Sequence, residues 1–385
     1  MRKRIKFSIK GLFLPLNLTF KQSSATRNNG ESIWCEANRN HQKGLGEGCP
    51  RVYVTGETVP QGLDWLETKL EELSNTIFSF EDLKNWMNQN EAEIDQHPAA
   101  FCAIETALLD LFAKEKNQCV EALLGLKSPK LIHTYTAVLG DSSSEKFEAL
   151  LKRYLSLGFS DFKIKLSGHL VKDQQKLKTI HFYCQKRGFH SFSIRLDANN
   201  LWQNNTALAI PYLAKLPLPI AGIEEPVESR NFKVLTELSN VLNIPIILDE
   251  SICNKKDLRN ITDHKGQFIA NLKVSKIGGV LRTLELISIL KLKKIPIIIG
   301  AHVGETSILT RSGMCVAQAA GNHLLAQEGG FGTMLLQTDQ VQPSLSFGKE
   351  GKIQLSKNYH LKPLNSSRSI PIHQWNRGWG LRVNA

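Results

Sequence analysis

The sequence has 385 residues, of which 42% are hydrophobic and 22% charged, so it can bury a large core and is too long for one minimal domain. Its formal charge is +12. No aromatic-interleaved basic segment or nucleic-acid-binding motif accompanies that charge, which favours a basic solvated surface over nucleic-acid binding. No segment is long and apolar enough to span a bilayer. Seven scattered cysteines, without C-x-x-C or metal-ligand spacing, indicate reduced thiols. We therefore expect a cytoplasmic protein that binds neither nucleic acid nor membrane.

Residues 1–130 are predicted to form a small α+β domain. Apolar and polar residues alternate over 5–10, which indicates a half-buried strand rather than the apolar centre of a signal peptide. We predict a glycine-rich turn at 44–48 and a second strand at 51–55. Apolar residues recur every three or four positions over 101–111, and this spacing predicts one apolar face of a helix.

From about residue 131 onward, strand and helix patterns alternate. An amphipathic helix is predicted at 147–155, with Gly158 as its C-terminal stop. Strand candidates are the run ending at 165 and the segments 192–197, 220–224, 244–249, 268–273 and 296–300. Strands that alternate with helices indicate a parallel sheet, and this number of strands favours closure into a barrel. The barrel is assigned to 131–350, and 351–385 is expected to pack back on the first domain.

Charged residues end five successive predicted strands, about one strand–helix unit apart. They are Lys165, Asp197, Glu224, Asp249 and Lys273. The C-terminal ends of barrel strands meet at one mouth, where barrel enzymes place their catalytic groups. The three carboxylates are hard oxygen donors of the kind that Mg²⁺ prefers, and the lysines on either side are candidate proton carriers. Side chains alternate along a strand, so Lys163 is expected to point into the mouth beside Lys165.

These residues suit the removal of a proton next to a carboxylate, a reaction that builds a second negative charge on the substrate. A divalent cation can stabilise that charge, and a lysine can act as the base if burial and nearby cations lower its pKa. Each residue alone has a simpler interpretation: Asp197 as a turn residue, Asp249 as a helix cap and Lys273 as a solvated lysine at a helix start. Their common order and spacing favour one shared site.

Five motifs along the barrel resemble the enolase superfamily, in its muconate-lactonizing (mandelate racemase/muconate lactonizing enzyme-like) subgroup. They are Lys-x-Lys at 163–165, Asp-Ala-Asn at 197–199, Ile-Glu-Glu-Pro at 223–226, Asp-Glu-Ser at 249–251 and Asn-x-Lys-x-x-Lys-x-Gly-Gly at 271–279. This resemblance implies an α/β fold, a modified (β/α)₇β TIM-type barrel with an N-terminal α+β capping domain that the C-terminal segment completes.

The resemblance also implies roles for individual residues. It implies Mg²⁺, or Mn²⁺ in its place, bound by Asp197, Glu224 and Asp249. Lys165 and Lys273 would be acid/base groups on opposite faces of the substrate, and Lys163 would help to stabilise the intermediate. Asn199 and Glu250 would orient these groups or contact the substrate.

The reaction implied is abstraction of the proton α to a carboxylate through an enediolate intermediate. We expect a racemase or epimerase, similar to dipeptide epimerases or N-acylamino acid racemases, that acts on a small anionic carboxylate substrate. The alternatives are a lyase or cycloisomerase, similar to o-succinylbenzoate synthase or muconate cycloisomerase, and a catalytically silent metal-binding barrel. By analogy with similar barrels, we expect a homo-oligomer.

Three features bear on the substrate. His302, at the end of the seventh strand, resembles the base of the mandelate racemase subgroup. That subgroup has an aspartate where this chain has Lys273, so we expect His302 to contact the substrate or to support the structure. The Asp-x-Asp that similar dipeptide epimerases use for the substrate ammonium group is absent after 324–332, which disfavours an Ala-Glu dipeptide. The polar stretch 21–30, with Lys21 and Arg27, is a candidate lid that clamps an anion or else a solvated loop.

Overall fold

The computed structural model describes residues 3–22, 25–217, 219–261, 266–329, 335–355 and 375–384. Its strands are β1 (Lys6–Gln22), β2 (Ala25–Arg39), β3 (Gln42–Gly48), β4 (Ile132–Thr134), β5 (Ala137–Leu139), β6 (Asp161–Lys165), β7 (Ser193–Asp197), β8 (Gly222–Glu224), β9 (Ile246–Leu248), β10 (Phe268–Leu272), β11 (Ile297–Ile299), β12 (Leu324–Gln327), β13 (Val341–Gln342), β14 (Lys352–Gln354) and β15 (Arg382–Val383).

The α-helices are α1 (Val52–Thr55), α2 (Val59–Thr76), α3 (Phe80–Gln89), α4 (Glu91–Ile94), α5 (Pro98–Glu115), α6 (Val120–Leu123), α7 (Ser144–Ser156), α8 (Leu170–Lys186), α9 (Thr206–Ala214), α10 (Phe232–Leu242), α11 (Val274–Ile277), α12 (Val280–Leu292) and α13 (Ser307–Ala320). Short 3₁₀ turns lie at Asp257–Arg259, Gly321–His323 and Lys349–Gly351. No helix within the described ranges is long and apolar enough to cross a bilayer.

The N-terminal strands form an antiparallel sheet in the order β1-β2-β3. The predicted glycine-rich turn at 44–48 is wrong, because these residues form β3 and lie against α5. A Cβ atom on Gly44, Gly46 or Gly48 would lie 2.0, 2.0 or 1.8 Å from a backbone oxygen of α5. Glycine therefore allows a close approach of strand and helix here, rather than a change of chain direction.

The predicted strand at 51–55 is also wrong, because residues 52–55 form the single turn α1. The amides of Thr55 and Gly56 donate to the carbonyls of Arg51 and Val52, and Gly56 ends the turn with a φ of +80°. The Arg51 guanidinium also donates to the carbonyls of Glu31 and Val303. These contacts with distant residues outweigh the strand preference of a β-branched run.

Helix α5 confirms the helix predicted over 101–111, and it is buried along almost its whole length. Its polar side chains bond neighbouring segments: Asp110 accepts from the Leu45 amide at 2.9 Å and from the Trp379 amide at 2.7 Å. The Trp379 indole donates to the carbonyl of Thr106 at 3.0 Å. Residues near the C-terminus thus pack on the same helix as β3.

The predicted barrel is confirmed. Strands β5 to β12 form one eight-stranded parallel sheet in chain order, and the Thr136 amide, next to β5, donates to the carbonyl of Gln327 on β12 at 2.8 Å. The barrel strand predictions agree with the structure to within a few residues at each end. Helix α7 also matches its prediction, with Gly158 at a φ of +82° shortly after its end.

Apolar and charged residues divide the barrel interior. On one side Ile247, Ile269 and Ile298 pack together against Ala326. On the other side, the buried Arg195 donates to the hydroxyl of Thr136 and to Asp161. Side-chain alternation carries this charged side up to the mouth, where the strand-end lysines and carboxylates lie.

Candidate active site

The five charged strand ends predicted from the sequence lie side by side at the barrel mouth. Strand register pairs Lys165 with Asp197 and Asp197 with Glu224. Asp249 directly follows β9, and Lys273 directly follows β10. All five residues are buried, and none is more than 9% exposed. Buried charges are costly unless they are paired, so the contacts among these groups define the site.

Each lysine of the mouth is paired with a carboxylate. Lys163 Nζ donates to Glu224 Oε1 at 2.8 Å and to Glu328 Oε2 at 2.8 Å. Lys165 Nζ lies 3.1 Å from Asp197 Oδ2 and donates to Asn199 Oδ1 at 2.8 Å. Lys273 Nζ donates to Asp249 Oδ2. Asn199, predicted to orient the charged groups of the site, therefore accepts a hydrogen bond from Lys165.

Two further charged residues belong to the site, although the sequence analysis assigned them no role. Lys276 Nζ donates to Asp249 Oδ1 and to the carbonyl of Asn271, both at 2.8 Å. Glu328 follows β12, the last barrel strand, and bonds Lys163. The rule that identified the other strand-end charges also applies to Glu328, because it directly follows an apolar strand.

The proposed metal ligands fit a divalent cation by their chemistry, and they lie on one rim of the barrel. Asp197, Glu224 and Asp249 are carboxylates at the ends of adjacent parallel strands, and the buried Glu224 Oε2 has no hydrogen bond of good geometry. In the described ranges no three acidic, histidine or cysteine side chains converge closely enough to hold a metal. Lysine ammonium groups lie against these carboxylates instead. Three hard oxygen donors on one rim remain the donor set that Mg²⁺ prefers.

The pKa values of the mouth reflect a balance between burial and pairing. Burial lowers the pKa of Lys163 and of Lys273, but the carboxylates around them outweigh it and raise both pKa values well above the ordinary range. The carboxylates therefore outweigh burial at these two lysines, and the lowered pKa of a catalytic lysine beside a bound cation stays a prediction. Burial raises the pKa of Asp249, but Lys273 and Lys276 bring it well below its usual range.

His302 is held as a neutral imidazole between the end of β3 and the mouth. Burial lowers its pKa well below the ordinary value, and the charges of Lys273 and Arg51 lower it further. Its Nδ1 lies 3.0 Å from the carbonyl oxygen of Cys49, so Nδ1 carries the proton and Nε2 is the acceptor. Nε2 is buried and has no hydrogen-bond partner within the described residues.

The remaining predicted residues fall into two groups. Glu250 is buried beside Asp249, and burial, followed by the charge of Asp249, raises its pKa to about 7. The backbones of Lys21 and Arg27 belong to the paired strands β1 and β2, so the candidate lid is the end of a β-hairpin. Their side chains lie outside the described part of the structure.

Known proteins resemble the chain in both sequence and fold. A family model for the Enolase C-terminal domain-like family matches residues 146–358, more than half of the chain. The L-Ala-D/L-Glu epimerase of Francisella tularensis subsp. novicida is 26% identical over 321 residues, which is 83% of this chain and 88% of that protein. The N-succinyl-L-Arg/Lys racemase of Bacillus cereus is 25% identical over 278 residues, 71% of this chain and 72% of that protein. The structure of a dipeptide epimerase from Cytophaga hutchinsonii, complexed with Mg and the dipeptide D-Ala-L-Val, has the same fold, with a TM-score of 0.79. The two chains are 21% identical, and the match covers 99% of this chain and 96% of that chain.

Proposed function

This chain belongs to the Enolase C-terminal domain-like family, and on that premise we propose that it is a Mg²⁺-dependent racemase or epimerase. It removes and returns the proton next to the carboxylate of a small anionic substrate. The names of its relatives as epimerase and racemase support the reaction class. The observation that carries the proposal is the placement of Lys165 and Lys273 on either side of three buried carboxylates at one barrel mouth.

The carboxylates of Asp197, Glu224 and Asp249 would hold the cation. When bound, Mg²⁺ would neutralise the substrate carboxylate and stabilise the second negative charge that develops as the α-proton leaves. A cation bound to these carboxylates would also weaken the ion pairs between the carboxylates and the lysine ammonium groups. That change lowers the lysine pKa towards the range in which a neutral amine can act as a base. Mn²⁺ is a possible substitute, because it shares the preference for oxygen ligands.

Lys165 and Lys273 act as a pair, one on each face of the substrate α-carbon. The neutral amine Nζ of one lysine takes the α-proton, and the ammonium Nζ of the other returns a proton to the opposite face. The configuration at carbon is thereby inverted. Lys163, fixed between Glu224 and Glu328, keeps a positive charge beside the carboxylates and favours the negatively charged intermediate.

The other predicted residues orient or select the substrate. Asn199 holds the Lys165 ammonium in place. Neutral His302 offers Nε2 as a hydrogen-bond acceptor rather than as an acid. Glu250 adds an acidic group beside Asp249. Lys21 and Arg27 at the end of the hairpin would attract the anionic substrate.

The experiment is α-proton exchange in D₂O, followed by NMR, with and without Mg²⁺. The substrates are dipeptides, N-acyl amino acids and other small chiral carboxylates. Exchange with scrambled configuration, dependent on Mg²⁺, is expected. Lys165→Ala and Lys273→Ala should abolish the scrambling, whereas Lys152→Ala, at an exposed lysine paired with Glu148, should not.

Other outcomes favour the alternatives. Formation of an alkene or a lactone would make the protein a lyase or cycloisomerase that uses the same proton abstraction. No exchange with any substrate, together with no Mg²⁺ binding, would indicate a catalytically silent barrel. We also propose a cytoplasmic location and a homo-oligomer, which fractionation and light scattering would test.

A further inference from the structure

Glu225 follows the proposed ligand Glu224 and is completely buried. Its φ of +38° is in the left-handed region, where a residue other than glycine is uncommon and is kept by its surroundings. At this backbone geometry its side chain reaches the segment after β9. Glu225 Oε1 accepts from the amides of Asp249 and Ser251, both at 2.8 Å, and Oε2 accepts from the Ser251 hydroxyl at 2.9 Å.

The backbone of Glu225 also joins neighbouring strand ends. Its amide donates to the carbonyl of Ile247 at 3.1 Å, and its carbonyl accepts from the amide of Asn200 at 2.7 Å. Asn200 lies in the loop that begins after Asp197. One residue thus contacts the segments that carry all three proposed metal ligands: the loop after Asp197, its own neighbour Glu224, and the amide of Asp249.

We propose that Glu225 is a positioning residue that fixes the spacing of the three carboxylates for a divalent cation. The inference rests on the proposed function, since that function assigns the cation to these carboxylates. Without the Glu225 carboxylate, the buried amides of Asp249 and Ser251 lose their acceptor, which is unfavourable for buried donors. The turn must then rearrange to find new partners, and Asp249 moves with it. Residues that orient metal ligands in this way typically contribute about 10- to 100-fold to metal affinity.

Glu57 provides a matched control in the N-terminal domain. It is also buried and also accepts from two successive buried amides, those of Ala99 at 2.8 Å and Ala100 at 2.9 Å. Those amides begin helix α5 and do not belong to the mouth. Removal of either glutamate therefore leaves two buried amides without an acceptor, but only the removal of Glu225 affects a proposed ligand.

The test is isothermal titration of metal-stripped protein with Mg²⁺, for the wild type, Glu225→Ala, Glu225→Gln and Glu57→Ala. Thermal unfolding of each variant gives its stability. We expect Glu225→Ala to weaken Mg²⁺ affinity by about 10- to 100-fold. Glu225→Gln keeps one acceptor oxygen and should lose less affinity. It also provides the measurement if the alanine variant does not fold. Glu57→Ala should lose stability with a Mg²⁺ affinity within about twofold of the wild type.

Two results would overturn the inference while leaving the metal site intact. One is unchanged Mg²⁺ affinity in both Glu225 variants. The other is an equal loss of affinity in Glu57→Ala, because the effect would then be one of general stability. Failure of the wild type to bind Mg²⁺ is a separate outcome that contradicts the proposed metal site itself, and with it any role for Glu225 in metal binding.

Discussion

The missing side chain of Gly300 makes room for Lys273. A Cβ atom at residue 300 would lie 3.2 Å from Lys273 Cε and 2.3 Å from Asn271 Oδ1. The Gly300 amide donates to the carbonyl of Leu272 at 2.8 Å, so the two strand ends are fixed next to each other. A side chain at 300 can therefore be accommodated only if Asn271 and the lysine stem move.

Gly300→Ala should impair the reaction more than it impairs the fold. We expect kcat to fall on the order of 10²-fold, the effect of a catalytic group displaced by about 1 Å, with a smaller change in KM. The control is Gly313→Ala in α13, where the nearest atom to an added Cβ is Ile299 Cγ2 at 3.7 Å. Steady-state kinetics and thermal unfolding of both variants make the comparison. Equal kcat values would show that Lys273 does not depend on this space.

Single removal of Lys165 or Lys273 should separate the two faces of the substrate. Each lysine is proposed to serve one face, so each alanine variant should still exchange the α-proton of one enantiomer in D₂O. The two variants should retain opposite enantiomers, and neither should interconvert them. General acid–base groups commonly contribute about 10²- to 10⁴-fold, so we expect interconversion to fall by at least that range.

NMR of each pure enantiomer with each variant gives the result. Retention of the same enantiomer by both variants would contradict the assignment of one lysine to each face. Complete loss of exchange in both variants, with Mg²⁺ binding intact, would mean that the two lysines act together on a single proton.

Glu105 should make the stability of the protein depend on pH. It lies in the middle of α5, and its carboxylate accepts from the amides of Val280 at 3.1 Å and Leu281 at 2.8 Å, at the start of α12. Burial raises its pKa from 4.5 to about 7, although those two hydrogen bonds act in the opposite direction. Between these pH values the carboxyl group is protonated in the folded state and ionised in the unfolded state.

Unfolding therefore releases a proton in that window, and the contribution of Glu105 to stability decreases as the pH rises from 4.5 to about 7. A pKa difference of this size corresponds to about 3 kcal/mol. The free energy of unfolding of the wild type relative to Glu105→Gln should fall by about that amount across the window. Urea denaturation at several pH values measures it, with the exposed Glu67→Gln as the control. A constant difference between wild type and Glu105→Gln would contradict the prediction.

The parts of the site that were predictable from sequence are those marked by a pattern in the neighbouring residues. Lys165, Asp197 and Glu224 each end a short apolar strand, so their common position at the mouth followed from strand spacing alone. Glu225 stands beside Glu224 in the same motif, but its contacts depend on the conformation of a segment more than twenty residues later. No property of the local sequence gives its left-handed φ.

The direction of the lysine pKa shifts was not predictable for a similar reason. Burial and neighbouring cations lower a lysine pKa, and the sequence indicated both. The distances between Lys163 and its carboxylates decide which influence is larger, and those distances depend on barrel geometry. The glycines of β3 were also misinterpreted. Gly44 and Gly46 indicate a turn by composition, whereas in the structure they allow the strand to contact a helix.

Gly46 should be one of the least tolerant positions in the N-terminal domain. It lies in β3, where the neighbouring amides of Leu45 and Glu47 donate to side chains of α5. A Cβ atom at Gly46 would lie 2.0 Å from the carbonyl oxygen of Ala103, and backbone atoms of a buried helix cannot move aside as the end of a flexible side chain can. We expect Gly46→Ala to reduce the free energy of unfolding by about 3 kcal/mol or more, at or above the upper end of ordinary overpacking.

The control for this prediction is Gly140→Ala, because an added Cβ there meets no atom within 4 Å. That variant should change the free energy of unfolding by about 0.5 kcal/mol or less, and urea denaturation compares the two. A small effect at Gly46 would mean that β3 does not lie as close to α5 as its three glycines allow. The same strand brings the Cys49 carbonyl to His302. Substitution at Gly46 should therefore also disturb the imidazole at the barrel mouth, through a shift of β3 rather than through direct contact.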